Sequence, residues 1–175
     1  MQKVRVKDEF KQYMRRIKGY VGRRDPVKLQ VAFPAKLTEA VRGLTPAQCR
    51  RRPRPGKWSI HEIVGHLADT ELVYGFRYRM MLAEPGCPLQ AYDQDRWAAS
   101  LGYTRQPVGE LLERIRVLRA ENIRLMKRVP QAWWSRYGMH AERGKETFRR
   151  CVTLIAGHDF NHLNQIRAIR KQFHC

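Results

Sequence analysis

Four long stretches of the chain repeat apolar residues with the period of an α-helix. They cover residues 27–42, 60–82, 107–129 and 147–173. Apolar residues spaced three and four apart form one face of a helix, and that face must be buried against a partner. No segment alternates polar and apolar residues as a half-buried strand does. The sequence therefore predicts an all-α protein, a four-helix bundle.

Local signals indicate where several of these helices begin. Ser59 is followed three residues later by Glu62, which is the pattern of a capping box. The tetrapeptide Thr-Pro-Ala-Gln at 45–48 carries the same signal with proline in the first position, so it predicts a short helical turn. Residues 84–106 are loop-like, with one turn of helix expected over 93–100.

Length and composition fit one domain with a single core. The chain has 175 residues, of which 43% are hydrophobic. We expect a basic N-terminal extension over residues 1–25 and a helical domain over residues 26–175. No apolar run approaches the length of a membrane span. The basic first segment lacks the apolar stretch of a signal peptide, and the four cysteines form no C-x-x-C pair, so a cytoplasmic location is expected.

The chain is strongly basic. It carries 35 Lys and Arg against 16 Asp and Glu, a formal net charge of +19. Such a surplus attracts nucleic acid or anionic small molecules, and its densest cluster lies at residues 50–57. The sequence has no helix-turn-helix, zinc finger or aromatic RNA-binding signature. A basic nucleic-acid-binding module without catalysis stays open as an alternative function.

Histidines are placed where one metal ion could be shared. His158 and His162 are four residues apart, so they lie on one side of a helix, and His66 is in the helix predicted over 60–82. Three histidine ligands leave a coordination position open, as catalytic metal sites do. The spacing alone equally allows histidines that are hydrogen-bonded in the core. His61 lies about 140° around the helix from His66 and is expected to face solvent; His140 is assigned no role.

Two segments carry most of these features. They are KWSIHEIVGHLAD at residues 57–69 and AGHDFNHLNQI at residues 156–166. Together with YDQDRW at residues 92–97, they closely resemble the DinB-like (YfiT-like) metalloenzyme superfamily. The resemblance extends over roughly residues 27–170.

The resemblance implies a four-helix bundle that holds a divalent ion on His66, His158 and His162. Some members of the family are thiol S-transferases that use a bacterial low-molecular-weight thiol such as bacillithiol or mycothiol, and others are described as metal-dependent hydrolases. The resemblance also allows a homodimer. Many relatives carry a second histidine directly before the last ligand, where this chain has Asn161. This difference leaves the three ligands in place and puts the role of that neighbouring position in doubt.

An open three-histidine site would lower the pKa of a bound thiol or water. We therefore expect a metal-dependent enzyme, with thiol S-transferase activity as the first hypothesis and hydrolase activity as the alternative. Zinc is the default ion for nitrogen ligands, and nickel, iron and manganese are also compatible. Asp69 and Gln165 are the candidate catalytic residues, because each lies about one turn from a ligand and could orient an imidazole or contact a bound molecule. Glu62 has a competing role in its capping box.

Overall fold

The computed structural model describes residues 2–174 of the chain, with side chains from residue 12 onward. Helices account for most of these residues, and a small sheet joins them. In chain order the elements are α1 (Gln2–Val21), α2 (Pro26–Val41), α3 (Pro46–Arg50), α4 (Ile60–Ala83), β1 (Pro88–Leu89), α5 (Gln94–Ser100), α6 (Val108–Arg128), β2 (Tyr137–His140), β3 (Gly144–Thr147) and α7 (Phe148–Phe173). Short 3-10 turns lie at Tyr103–Arg105 and Gln131–Ser135.

Helices α2, α4, α6 and α7 form the predicted four-helix bundle. Helix α2 packs against α6 and α7, and α4 packs against the same two helices. Consecutive bundle helices α2 and α4 therefore face each other diagonally, as do α6 and α7. This order differs from a simple up-and-down bundle, in which sequence neighbours are also spatial neighbours. It places α4 directly beside α7, and these two helices carry the histidines singled out above.

The predicted start signals are present as hydrogen-bonded caps. The Ser59 hydroxyl accepts from the Glu62 backbone N–H, and the Glu62 side chain accepts from the Ser59 backbone N–H. Thr45 and Gln48 form the same reciprocal pair at α3. Since each box satisfies donors that the first turn leaves without partners, it fixes where the helix begins.

The bundle core consists of two apolar layers with a polar layer between them. The first apolar layer includes Leu37, Ile63, Leu67, Leu111, Ile115 and Ile166. The second includes Tyr78, Met81, Met126, Phe148 and Val152. Along α4, α6 and α7, the residues that separate these two groups carry buried charges.

Arg119 is the centre of the polar layer. Its guanidinium forms ion pairs with Glu71 on α4 and Asp159 on α7, and all three side chains are buried. Asn122, which interrupts the apolar stripe of α6, donates from its amide to Glu71 at 3.2 Å. One cation faces two carboxylates, and burial raises the pKa of Asp159 to about 7. The layer ties three bundle helices together at one level.

Residues 2–21, in the segment that the sequence analysis describes as a basic N-terminal extension, form helix α1. Met14 and Ile17 on α1 are buried, and α1 packs along α7. At Gly157 the two helices approach so closely that an added Cβ would lie 2.1 Å from the Ile17 carbonyl oxygen. A separate basic extension is therefore not confirmed. The division of the chain at residue 25 stays a prediction.

A three-stranded sheet was not predicted. β1 pairs with β2 in parallel, with Pro88 opposite Met139, and β2 pairs with β3 antiparallel, with His140 opposite Gly144. Strands of two to four residues are too short to show alternation, so sequence periodicity could not reveal them.

No helix among residues 2–174 is long and apolar enough to cross a membrane. The cytoplasmic location expected from the sequence stays a prediction.

Candidate metal centre

The structure brings together the three histidines on which the metal hypothesis depends. His66 lies on α4, and His158 and His162 lie one turn apart on α7. The Nε2 atom of His158 is 3.0 Å from Nε2 of His66 and 3.1 Å from Nε2 of His162. The candidate ligand atoms all lie within 4.8 Å of one another. Because zinc–nitrogen bonds are about 2.0–2.1 Å long, one ion can reach all three atoms.

Hydrogen bonds alone cannot satisfy this arrangement. The Nδ1 atom of His162 is 3.0 Å from Oε1 of Gln165, so Nδ1 carries the proton and donates, which leaves Nε2 with a free lone pair. His158 can then donate from Nε2 to only one neighbour. A protonated Nε2 of His158 has no lone pair left to accept a hydrogen bond from His66. At least one of the two short contacts therefore needs something other than a proton, and a cation that accepts lone pairs from all three nitrogens fits.

Burial keeps the three imidazoles neutral. It lowers the pKa of His66 and His158 well below the ordinary value, and it lowers the pKa of His162 to about 4. Charging of His162 would lower the pKa of the other two further, since like charges repel. Neutral imidazole is the form that binds metals. The site is thus ready for a divalent cation at neutral pH.

Gln165 and Asp69, the two candidate catalytic residues, are placed differently. Gln165 contacts His162 and lines the same cavity, so it can fix the tautomer and the ring orientation of that ligand. Asp69 instead accepts a hydrogen bond from the Tyr103 hydroxyl at 2.7 Å and lies 3.9 Å from Arg114. It makes no hydrogen bond with His66, whose buried Nδ1 has no partner among the described residues. The contacts therefore do not support the idea that Asp69 orients His66.

Two other histidines differ from their predicted settings. His61 is buried, not solvent-facing, and its Nε2 donates to the Gln106 carbonyl at 2.8 Å. His61 does lie on a different side of α4 from His66, as predicted, but the loop before α6, which includes Gln106, covers that side of the helix. His140, to which the sequence assigned no role, is buried on β2 and lines the cavity. Only the unpredicted sheet brings it there.

A cavity of about 770 Å³ opens beside the three histidines. Trp58 forms part of its wall, with its ring centroid 4.9 Å from that of His66 and 6.3 Å from that of His162. Helix α1 contributes Tyr13 and Arg16 to the lining. The remaining lining is aromatic and charged. It includes the rings of Tyr74 and Tyr92, the cations Lys57, Arg77 and Arg143, and the exposed carboxylates Asp93, Asp95 and Glu142. This volume suits a small organic molecule.

The sequence profile of the DinB superfamily matches residues 31–166. The chain belongs to the DinB superfamily. The matched range includes most of the four bundle helices and all three histidines, and it excludes α1. Helix α1, which supplies part of the cavity lining, therefore lies outside the range that matches the profile.

Individual relatives agree with this assignment. A protein named "Putative metal-dependent hydrolase" from Bacillus cereus (strain 03BB102) is 24% identical over 140 residues, 80% of each chain. A protein of the same name from Bacillus anthracis (strain A0248) has the same identity and coverage. The solved structure of YfiT from Bacillus subtilis, described as a probable metal-dependent hydrolase with an unusual four-helix bundle topology, has a TM-score of 0.80. It is 21% identical and covers 85% of each chain, so this likeness shows the DinB-type fold.

Asn161 is the position at which this DinB superfamily member departs from the pattern expected of many relatives. The side chain lines the cavity next to His158 and His162 but is not part of the three-histidine cluster. The cluster of three histidines forms without a histidine at this position. An amide at this position can contact a bound molecule without competing for the ion.

Proposed function

We propose that His66, His158 and His162 hold one divalent metal ion and that the chain is a metal-dependent enzyme acting on a small molecule in the adjoining cavity. The observation that carries this proposal is the convergence of three neutral Nε2 atoms, 3.0 and 3.1 Å apart, at the cavity wall. Three protein ligands leave room for a reactant on the ion.

A divalent ion held there supplies a positive charge that lowers the pKa of a bound water or thiol. The protein residues do the rest. Gln165 accepts a hydrogen bond from Nδ1 of His162, which leaves the Nε2 lone pair of His162 free to bind an ion beside His158. Trp58 covers His66 and His162 on one side, so reactants approach from the cavity.

Thiol S-transfer is the first candidate reaction. A low-molecular-weight thiol would lose its proton to water in the cavity, and its sulfur would form a bond to an electrophilic carbon. The leaving group on that carbon would depart with the electron pair of the broken bond. Bacterial thiols of this kind carry polar or carboxylate groups. Arg16, Lys57 and Arg77 in the cavity lining favour such a co-substrate.

Hydrolysis is the second candidate, and the names of the Bacillus relatives favour it. The three histidines would then hold an ion that lowers the pKa of a bound water, and the cavity would hold the substrate to be hydrolysed instead of a thiol. The residues that hold and orient the ion are the same in both reactions. Zinc is the default ion, with nickel, iron and manganese as alternatives. A homodimer and nucleic-acid binding stay predictions.

The two reactions can be separated with one preparation of protein reconstituted with zinc. The rate of conjugation of a low-molecular-weight thiol to 1-chloro-2,4-dinitrobenzene is measured, followed by hydrolysis of p-nitrophenyl acetate without thiol. Thiol-dependent turnover that is lost in His158→Ala supports S-transfer, and ester hydrolysis lost in the same variant supports the hydrolase alternative. Rates that are equal in wild type and variant for both reactions would contradict a metal enzyme of either kind.

A further inference from the structure

Arg77 is a buried cation that has no acidic partner among the side chains that the structure describes, residues 12–174. It lies on α4, its side chain is only 4% exposed, and it lines the cavity. One of its terminal nitrogens donates to the Gln90 carbonyl, which is its only hydrogen bond among the described residues. Among the described residues, no carboxylate oxygen lies within 4.0 Å of a nitrogen of the Arg77 guanidinium. Burying a charge without a partner is costly, so this arrangement needs an explanation.

Two comparable arginines among the described residues are paired with carboxylates. Arg119, the other arginine that is almost completely buried, has Glu71 and Asp159. Arg143, which also lines the cavity, is bound by both oxygens of Glu146 at 2.9 Å. The carboxylates that line the cavity near Arg77 are exposed, so water already solvates them. Arg77 thus differs from comparable arginines in having unused N–H donors at a cavity wall.

Two aromatic rings hold the guanidinium in place. Its central carbon lies 5.0 Å from the centroid of Tyr74 and 6.0 Å from that of Tyr92. Cation–π contacts partly offset the cost of burying the charge, but they leave the edge of the guanidinium with its N–H groups available. That edge is suited to bind two oxygens of a carboxylate or a phosphate.

Arg77 lies on the same face of α4 as the metal ligand His66. The two residues are eleven positions apart, which is about three helical turns and leaves them about 20° apart around the axis. Thr70 and Tyr74, at intermediate positions, also line the cavity. The rise along the helix is about 16 Å. The cavity is therefore elongated, with the three histidines at one end and a free guanidinium toward the other.

We propose that Arg77 is the anion-binding subsite of this cavity and that it holds a carboxylate or phosphate of an elongated ligand whose reacting group lies at the three histidines. The inference rests on the proposed function for its assignment of the cavity as the substrate site. It narrows the substrate class to molecules that carry an anionic group roughly 10–16 Å from the reacting atom. Arg77 is in this account a binding residue and takes no part in bond making.

The test uses ligands that cannot coordinate the ion through a thiol. S-methylglutathione, its diethyl ester and hexyl phosphate are titrated into the protein by isothermal calorimetry. The ester keeps the peptide backbone of the acid, and both of its carboxylates are converted to uncharged ethyl esters. We expect wild type to bind S-methylglutathione or hexyl phosphate about ten-fold more tightly than the ester, because charge-assisted hydrogen bonds are worth that much. Whether S-methylglutathione or hexyl phosphate shows this preference tells whether the subsite takes a carboxylate or a phosphate.

Arg77→Met should abolish the preference, and Arg79→Met, an exposed arginine on the same helix, should retain it. Since Arg77 is an unpaired buried charge, the thermal midpoint of Arg77→Met should equal or exceed that of wild type, whereas a merely structural arginine would lower it. If the methionine variant fails to fold, Arg77→Lys replaces it. Lysine keeps the positive charge but lacks the paired N–H donors of a guanidinium, so the preference of this variant for the anionic ligand should be smaller than that of wild type. An unchanged preference in either variant, or no preference in wild type, would overturn the proposal.

Metal content measured on the same samples separates the two proposals. Arg77→Met should retain the metal content of wild type. If wild type holds no metal but prefers the anion through Arg77, the enzyme proposal fails and the subsite stands. If metal is bound and no anion preference exists, only the subsite fails.

Discussion

Arg119 donates a hydrogen bond to Asp159, the residue directly after His158, with 2.7 Å between Nη1 and Oδ2. The same guanidinium binds Glu71 on α4, so one side chain on α6 connects the two helices that carry the histidines. The buried polar layer therefore sets the position of α7 relative to α4 at the level of the candidate metal centre.

Removal of Arg119 should destabilise the fold strongly. Arg119→Met leaves Glu71 and Asp159 buried without their cation, and breaking a buried ion pair from one side costs about 3–5 kcal/mol. Urea denaturation followed by circular dichroism measures the loss. Arg116→Met, which breaks an exposed pair with Glu113 on the same helix, should leave the midpoint unchanged. Equal midpoints for the two variants would show that the polar layer does not stabilise the bundle.

A methyl group at Gly157 should separate α1 from α7. The added Cβ would meet the Ile17 carbonyl oxygen at 2.1 Å, so Gly157→Ala should cost about 1–3 kcal/mol and should expose α1 to proteolysis. Gly19→Ala is the matched control on α1, because no atom lies within 4 Å of its added Cβ and alanine favours helix. Limited proteolysis with mass spectrometry compares the two. Equal resistance in both variants would contradict the close packing of α1.

Loss of Gln165 should weaken metal binding without abolishing it. Its carbonyl oxygen is the only described partner of His162 Nδ1, and removal of such a partner typically costs about 10–100-fold in metal affinity. Gln165→Leu is compared with Asn164→Ala, an exposed neighbour, by competition with a chromophoric chelator. A Gln165→Leu affinity equal to that of the control would mean that the contact has no influence on the ligand.

Two histidines outside the metal cluster should make the fold sensitive to acid. Burial lowers the pKa of both His61 and His140, so the unfolded chain binds protons there at a higher pH than the folded chain does. The contribution of these two neutral histidines to the free energy of unfolding is therefore complete above about pH 6.5. It is lost as the pH falls from that value through their lower pKa values in the folded chain. Urea midpoints of wild type and of His61→Gln/His140→Gln, measured at several values of pH, provide the test. The double variant should lose less stability on acidification, and parallel curves would contradict the assignment.

Much of the fold could be predicted because its determinants are local. The capping box of Ser59 and Glu62 fixes the start of α4, and the spacing of His158 and His162 fixes their common face on α7. Once two helices with histidines on their inner faces were expected, their convergence followed from the bundle and the family resemblance. These features depend on residues three or four apart.

The features that were missed depend on contacts between distant segments. His61 is hydrogen-bonded to the carbonyl of Gln106, 45 positions later in the chain. Asp69 accepts a hydrogen bond from Tyr103, which lies in a 3-10 turn. The burial of Arg77 at the cavity wall, with no described carboxylate beside it, depends on the tertiary packing around α4. Helical period places a side chain on a face of its own helix, but only the packing of the loops decides what covers that face.

The central claim is that three histidines hold one ion, and metal content per chain tests it most directly. Protein loaded with zinc and dialysed is measured by inductively coupled plasma mass spectrometry for wild type, His158→Ala and His140→Ala, the last a buried cavity histidine outside the cluster. The account predicts about one ion per chain in wild type and in His140→Ala, and almost none in His158→Ala. The same zinc content per chain in wild type and His158→Ala, whether near one ion or near zero, would contradict the claim that the three histidines hold the ion.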